Sequence, residues 1–421
     1  MMTVIRKVLK SKLAKNGIWL LLLQGFNTII PMITIPYITR ILSSSSYGEF
    51  SLSLNWIGYF QVIVEYGFAL TGARKVAMRK NDSELSLIRS RIFVARLLLT
   101  LICGIIFIFV VLITEVNKTQ LICMTILFIM VVMIVFQQTW FFQGMSEMKN
   151  IAIINALSRT ISVILIFIFV KSSDDLYLYC FLYASNYIVA GVTGWIVVHR
   201  KYHVNMKKVY LGDIIKEIGE GWPLFISQAM IKIFGNFGVT ILGIMATKTD
   251  VGIYSAINKI PLVMTLIFSV VGQVLYPQSC QAFSLSFNNG LKNIKKYGTP
   301  VFIFFSFISL MIIVFRSQII RVIFGDEYAR YSFLLVPFVL WVLNGILNNF
   351  LGIQTIVASG NQKKYSKALM ISVIIMLGLM FTLSKPFKAY GIAISSMISE
   401  FVLTIMLAIC IIQIRKNTGK D

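Results

Sequence analysis

The feature that most constrains this chain is the recurrence of apolar runs about twenty residues long. At about 1.5 Å of rise per residue, a helical run of that length crosses the ~30 Å hydrocarbon layer of a bilayer. Twelve such runs are read, at about 16–39, 48–72, 92–114, 120–142, 151–170, 176–198, 221–246, 251–277, 299–315, 332–358, 367–384 and 389–414. Lipid offers no partner for a backbone N–H or C=O, so a spanning segment is a helix or a strand of a closed barrel. Alternating apolar and polar positions are absent, which leaves helices. Composition agrees: of 421 residues 57% are hydrophobic and 13% charged, with a mean hydropathy of +0.83. The expected fold class is an all-α polytopic membrane protein.

Basic residues orient the spans. With both ends inside, the inner segments hold 26 of the 39 lysines and arginines, the outer segments nine, and the spans four. Because cytoplasmic loops concentrate Lys and Arg, both termini are expected in the cytoplasm. The net charge of +23 is therefore a membrane-topology pattern, and no nucleic-acid partner is expected. The long basic stretch 199–217 divides six spans from six. The expected organisation is a cytoplasmic segment 1–15, an N-lobe 16–198, the linker 199–217, a C-lobe 218–414 and a tail 415–421. Segment 1–15 interleaves apolar and basic residues, as a short helix lying on an anionic inner surface or a solvated tail would. The run after Lys15 is too long for a cleavable signal peptide and lacks a small-residue cleavage site. The five cysteines show no CxxC, and His199 and His203, spaced i,i+4, have no third partner, so neither a disulfide framework nor a metal site is expected.

Ionisable residues inside a membrane cost several kcal/mol and normally face a cavity or a partner. Lys232 falls near the middle of its span, on a helix face with Gln228, Asn236 and Thr240. Lys259 clusters with Ser255 and Asn258 on the next span, and Arg159 and Arg96 complete the set of four cations. These four are the candidate substrate-binding groups, for something negatively charged. Glu65, one turn after Gln61, and Glu400, between Ser396 and Thr404, are the only acids well inside the spans and the candidates for ion coupling. Asn344 and Asn348 share a face with Trp341 and Gly352; with Gln24, Gln228, Asn236 and Asn258 they are the candidate polar lining of a cavity, although amides also serve as glue between helices. Pro31 and Pro36 kink the first span, as a hinge or a static bend. Trp140, Phe141 and Phe142 suit an aromatic belt at the inner surface.

The second half echoes the first. Shifted by 204 positions, Gln24 falls on Gln228, Gly48 on Gly252, Phe50 on Tyr254 and Ser51 on Ser255. Two related halves with a cavity between them are the plan of many secondary transporters.

The stretch Trp140-Phe141-Phe142-Gln143-Gly144-Met145-Ser146-Glu147-Met148 resembles the inner end of the fourth helix in O-antigen repeat-unit flippases. These are the Wzx-type transporters of the multidrug/oligosaccharidyl-lipid/polysaccharide exporter superfamily. Gly252-Ile253-Tyr254-Ser255 and Ala358-Ser359-Gly360-Asn361-Gln362-Lys363 extend the resemblance, which covers essentially the whole chain. It implies a MATE-like fold, with twelve transmembrane helices in two six-helix lobes around a cationic central cavity. It also implies a multi-pass protein of the bacterial inner membrane that moves an undecaprenyl-diphosphate-linked oligosaccharide to the periplasmic leaflet. The implied partners are that lipid-linked substrate, a coupling ion (H⁺ or Na⁺), membrane lipids, and the polysaccharide polymerase and chain-length regulator, with no cofactor and no catalytic residue.

Two other functions compete. A drug/cation antiporter of the same superfamily would favour acids in its cavity, whereas four intramembrane cations here face two carboxylates. A membrane polysaccharide polymerase or glycosyltransferase would need a substantial outer catalytic loop, and the outer loops here are short.

Overall fold

A computed structural model describes residues 12–113 and 116–418. Among them every regular element is helical. The chain divides into two compact units, residues 1–240 and 241–421.

The first unit runs through α1 (Lys12–Ile41), α2 (Ser44–Glu65), α3 (Phe68–Met78), α4 (Asp82–Ile113), α5 (Lys118–Ile134), α6 (Thr139–Gly144), α7 (Met148–Phe169), α8 (Leu176–Tyr202) and most of α9 (Leu211–Met245). Local chemistry sets several of these bounds. The Ser43 side chain accepts from the backbone N–H of Ser46 and caps α2; Tyr66 and Gly67, at φ 46° and 77°, end that helix and turn the chain into α3. Asn117 caps α5 in the same way as Ser43. In α1, Thr34 and Thr39 donate to the carbonyls of Ile30 and Ile35, each four residues back, beside Pro31 and Pro36.

The W-F-F-Q-G stretch is α6, and its packing is internal. Trp140, Phe141 and Phe142 are 2%, 0% and 1% exposed, so they form a core between α6 and α3 and not the aromatic belt expected at a membrane surface. A Cβ on Gly144 would lie 2.6 Å from the Ala73 carbonyl oxygen and from Val76 Cβ, and one on Gly72 would lie 2.7 Å from Trp140. Only glycine permits two helices to approach this closely.

The basic stretch expected as a linker is strapped to α4. Arg89 donates to the Val204 carbonyl at 2.7 Å, and the Lys207 N–H donates to Ser90 Oγ at 2.8 Å. Beyond it α9 stays with the first unit: Arg91 pairs with Asp213 at 2.9 Å, and Lys75 of α3 reaches both Glu217 and Glu220 at 2.7 Å. Burial alone would lower the Lys75 pKa, but these two carboxylates outweigh it and hold the ammonium above its ordinary value. The boundary between compact units therefore falls at Thr240, later in the chain than the 199–217 stretch read from sequence, because α9 is tied to α2, α3 and α4 by ions and packing.

The second unit comprises α10 (Lys248–Ile257), α11 (Lys259–Leu285), α12 (Phe287–Val314), the short α13 (Arg316–Phe324) and α14 (Asp326–Ala329), α15 (Leu335–Asn348) and α16 (Gln362–Thr418). A reciprocal capping box between Thr247 and Asp250 starts α10. Residues Asn349–Val357 continue α15 as a π-helix, and α16 breaks at Lys388 (φ 49°, ψ −125°). One apolar core gathers Met264 and Phe268 of α11, Phe305 of α12, and Val342, Ile346 and Phe350. A second gathers Ile356, Ala368, Leu403, Leu407 and Ile414.

Eight described helices are long and apolar enough to cross a membrane, and the bent α9 makes a ninth. α2 is not among them: residues such as Ser51, Ser53 and Asn55 dilute its apolarity. The last two expected spans lie in α16, on either side of its break.

Candidate functional site

The site of the first unit lies between α2 and α9. Two turns of α2 present Tyr59, Val62 and Ile63; the facing stripe of α9 presents Phe225, Ala229, Lys232, Ile233, Phe237 and Thr240. Positions 225, 229, 232, 236 and 240 recur at helical spacing, which is why one face of α9 carries them. The cavity they enclose has a volume of about 360 Å³.

Its walls are apolar except at three points. Tyr59 Oη and Thr240 Oγ1 are 2.6 Å apart, and Asn55 Nδ2 donates to the same Thr240 oxygen at 2.8 Å. These hydroxyls are occupied with each other, and they pin α9 to α2. Tyr66 stacks on Phe225 at 4.6 Å and 8°, closing the other end of the seam. The third polar point is the Lys232 ammonium, the one charge in the lining among the described residues. It rests on Gly58, where a Cβ would lie 2.7 Å from Lys232 Cε and 2.8 Å from Nζ. A lysine seated on bare backbone keeps its donors available, since glycine offers no side-chain acceptor.

Around this cavity the remaining charges are spaced apart. Glu65 is exposed, and its carboxylate is in the electrostatic field of Arg96 first and Lys232 second. None of the three forms a direct ion pair among the described residues. Arg96, expected as a cavity cation, is 5% exposed, and its Nη1 donates to the carbonyls of Ile134 and Gln137 at 3.0 and 3.1 Å. It thereby satisfies the backbone where α5 breaks before α6, and its guanidinium lies over Phe68. Arg159 of α7 is half-buried near the phenols of Tyr183 and Tyr187, and Tyr187 shares a hydrogen bond with Gln61.

The amides sort differently. Asn236 folds back onto the Lys232 carbonyl at 3.0 Å, while Gln228 and Gln24 are exposed and outside the cavity lining. In the second unit, Lys259 is exposed at the break between α10 and α11. Beside it, Ser255 Oγ and Asn258 Oδ1 are buried with no hydrogen-bond partner among the described residues. Asn344 bonds its own helix at the Leu340 carbonyl. Asn348 links α15 to α16: it donates to Glu400 Oε2 at 2.6 Å and to the Glu400 carbonyl at 2.9 Å, and it accepts from Thr404 Oγ1 at 2.8 Å. Glu400 is thus held by an amide, and it makes no ion pair with a described residue. The π-helix that begins at Asn349 adjoins this network, and π-segments inside helices frequently mark functional positions.

Sequence reasoning missed Asn55, Gly58 and Tyr59. The i,i+4 pair Asn55 and Tyr59 on an apolar span was a legible sign; the role of Gly58 was not, because it depends on which side chain of another helix lands on it.

An apolar cavity with one available cation suits an amphiphile with an anionic group: the walls take hydrocarbon, and the ammonium supplies charge-assisted hydrogen bonds. Residues 13–283 match the family described as "Polysaccharide biosynthesis protein". The "Putative O-antigen transporter" of Escherichia coli (strain K12) is 27% identical over 405 residues, covering 94% of this chain and 96% of that one. Its namesake from Shigella dysenteriae is 25% identical over 407 residues, covering 93% and 98%. Among solved structures, the "Lipid II flippase MurJ, inward closed conformation" superposes with a TM-score of 0.71 at 14% identity, covering 92% of this chain and 86% of that one. An inward-facing multidrug resistance MATE family transporter gives 0.60, also at 14% identity, covering 92% and 99%. At such identities these two likenesses show the fold alone.

Proposed function

We propose that this chain, which belongs to the polysaccharide biosynthesis protein family, is a flippase for a lipid-linked oligosaccharide. It is a multi-pass membrane transport protein and not an enzyme. Its substrate on this reading is an undecaprenyl-diphosphate-linked repeat unit, moved by alternating access from the cytoplasmic to the periplasmic leaflet of the bacterial inner membrane for assembly of O-antigen or a related surface polysaccharide. The names of its relatives as O-antigen transporters support this.

The observation that carries the reading is the Lys232 ammonium, seated on Gly58 in an otherwise apolar cavity. The diphosphate junction of such a lipid is an anion flanked by hydrocarbon. Lys232 offsets part of its desolvation, and the walls from Val62, Ile63 and Phe237 accept the adjoining chain. Lysine holds its charge without demanding one fixed geometry, which suits a ligand that must be released on the far side. Arg159 in the same unit and Lys259 in the second unit are further candidate cations for the anionic substrate; the Arg96 guanidinium is engaged by carbonyls and acts by holding the α5–α6 break. Glu65 and Glu400 couple transport to a proton or sodium gradient.

The test substitutes each lysine by Arg and by Gln and measures export of lipid-linked repeat units. Arg retains much of the transport; Gln loses it at unchanged expression and strands the lipid-linked units on the inner leaflet. Normal export by the Lys232→Gln, Lys259→Gln double variant would sink the cationic mechanism. A drug/cation antiporter is the alternative, and the cavity disfavours it: a cation and no acid lines the wall.

A further inference from the structure

We propose that the lysine-rich end of the second unit is a binding surface for anionic phospholipid headgroups. Half of this rests on placement. Lys292, Lys295 and Lys296 are spaced i, i+3, i+4 and so share a face of α12 near its start. At the start of α16, Lys367 lies three and four residues after Lys364 and Lys363 and so neighbours both on the helix surface. All but the half-buried Lys364 are exposed. The two lysine faces meet at one end of the unit, because Phe287 at the start of α12, Tyr365 and Ala368 at the start of α16, and Ile414 near its end pack into one apolar cluster. Arg415 and Lys416 follow Ile414 and add to the same end.

The second half is the lack of counter-charge. Several basic residues elsewhere are neutralised internally. In the first unit Lys75, Arg91 and Lys201 pair with Glu217, Asp213 and Glu147; at the other end of the second unit Lys388 pairs with Asp250, and Arg321 with Asp326. None of the six lysines has an ion-pair partner among the described residues. The sequence shows why: no acid occurs between Asp250 and Asp326, and after Glu327 only Glu400 and Asp421 follow. Glu400 is fourteen residues from Ile414, roughly 21 Å along the helix, and Asp421 lies outside the described residues. The tendency of basic residues to stay on the cytoplasmic side explains their number at this end. It does not explain the missing acids, since the first unit carries acids beside its own basic segments.

The apolar surroundings choose the partner. Leu285, the last residue of α11, is 77% exposed, Met370, one turn after the second lysine face, is 65% exposed, and Tyr297 is 40% exposed with the Lys296 ammonium 5.1 Å from its ring centroid. Cations bordering lipid-facing apolar side chains lie at headgroup depth, and clusters of this size recognise acidic lipids.

The test uses the purified full-length protein in nanodiscs of equal parts phosphatidylglycerol and phosphatidylcholine. Native mass spectrometry then counts the lipids retained. The wild type should enrich phosphatidylglycerol by roughly tenfold, and 0.5 M salt should reduce that enrichment. Lys→Gln at all six positions should abolish it, while Lys→Arg at the same six keeps it. Equal retention of the two lipids by the wild type overturns the proposal, including the case where this face captures an acidic soluble protein instead. Enrichment unchanged by the Gln substitutions also overturns it. Should the Gln variant fail to insert, the wild type alone decides: enrichment that ignores salt counts against a charged surface.

Discussion

Replacing Gly58 by Ala separates the seat of Lys232 from the stability of the fold. The new Cβ would stand 2.7–2.8 Å from Lys232 Cε and Nζ. Ordinary carbon contacts begin near 3.5–4 Å, so the lysine tip must retreat by roughly 1 Å. That tip is the free end of a flexible chain, and its withdrawal costs the fold little. Alanine is also the better helix former, by up to about 1 kcal/mol inside α2. The variant should therefore unfold at the same temperature as the wild type or higher. Its transport should fall by roughly tenfold or more, since a 1 Å misplacement of a binding group costs up to ~100-fold. A thermal-unfolding cycle checks the cause without needing activity. In a Lys232→Ala background the clash is gone, so Gly58→Ala should give the full propensity gain of about 1 kcal/mol there and a smaller one in the wild type. Wild-type transport by Gly58→Ala, or an equal stability gain in both backgrounds, would refute the seat.

Gly144→Val forces a branched side chain against the Ala73 carbonyl and Val76; it should destabilise the first unit by about 1–3 kcal/mol, read as a lowered unfolding temperature with loss of folded yield. Lys75→Gln should cost about 1–3 kcal/mol, because it leaves Glu217, 3% exposed, without its partner. The Lys75 pKa is raised on folding, so its contribution is present at and below the ordinary lysine value and is lost as pH rises through the raised one. The stability gap between wild type and variant should accordingly stay constant from about pH 6 to 9 and close only in strong alkali. Glu65→Gln and Glu400→Gln should each leave a folded protein whose transport depends less on the ion gradient; unchanged dependence in both would make these carboxylates structural. Reporter fusions after Lys171 and after Lys208 should sit on opposite sides of the membrane, and finding both on one side would overturn the proposed orientation.

The helical class of the fold was legible because hydrocarbon leaves the backbone so few options, and twenty-residue apolar runs state that constraint directly. The bounds were less legible where polar side chains hide a helix or glycine carries the packing. Trp140 to Phe142 read as a membrane-surface belt because aromatic runs at span ends usually are one. Their burial depends on Gly72 and Gly144 admitting α3 and α6 to contact, and contact between distant segments leaves no period in a sequence. Among the candidate site residues, Lys232 stood out for an energetic reason: a mid-span cation is costly and normally faces a cavity or a partner. Arg96 obeyed the same rule with a different answer, since its partners are two carbonyls freed where α5 breaks. A charge that must be satisfied can thus be read from sequence, while the group that satisfies it cannot.

The two units also show which part of an internal repeat is structural. After α6, the backbone N–H groups of Met145, Ser146 and Glu147 donate to the carbonyls of Phe141, Gln143 and Phe142. After the π-helix, those of Ser359, Gly360 and Asn361 donate to Thr355, Val357 and Ile356, the same pattern 214 residues later. Ser146 and Gly360 occupy the left-handed position of the two turns, at φ 56° and 84°. The six-residue ring and the left-handed residue define a Schellman ending. Glycine adopts that conformation at no steric cost, and serine adopts it here against its preference. The repeated element is therefore a helix ending. The charges around the two turns differ: Glu147 follows the first and pairs with Lys201, whereas Lys363 and Lys364 follow the second with no acid beside them. A shared backbone device with divergent charge places the constraint of the repeat on how helices end, and leaves the electrostatics of each unit free to serve its own ligand.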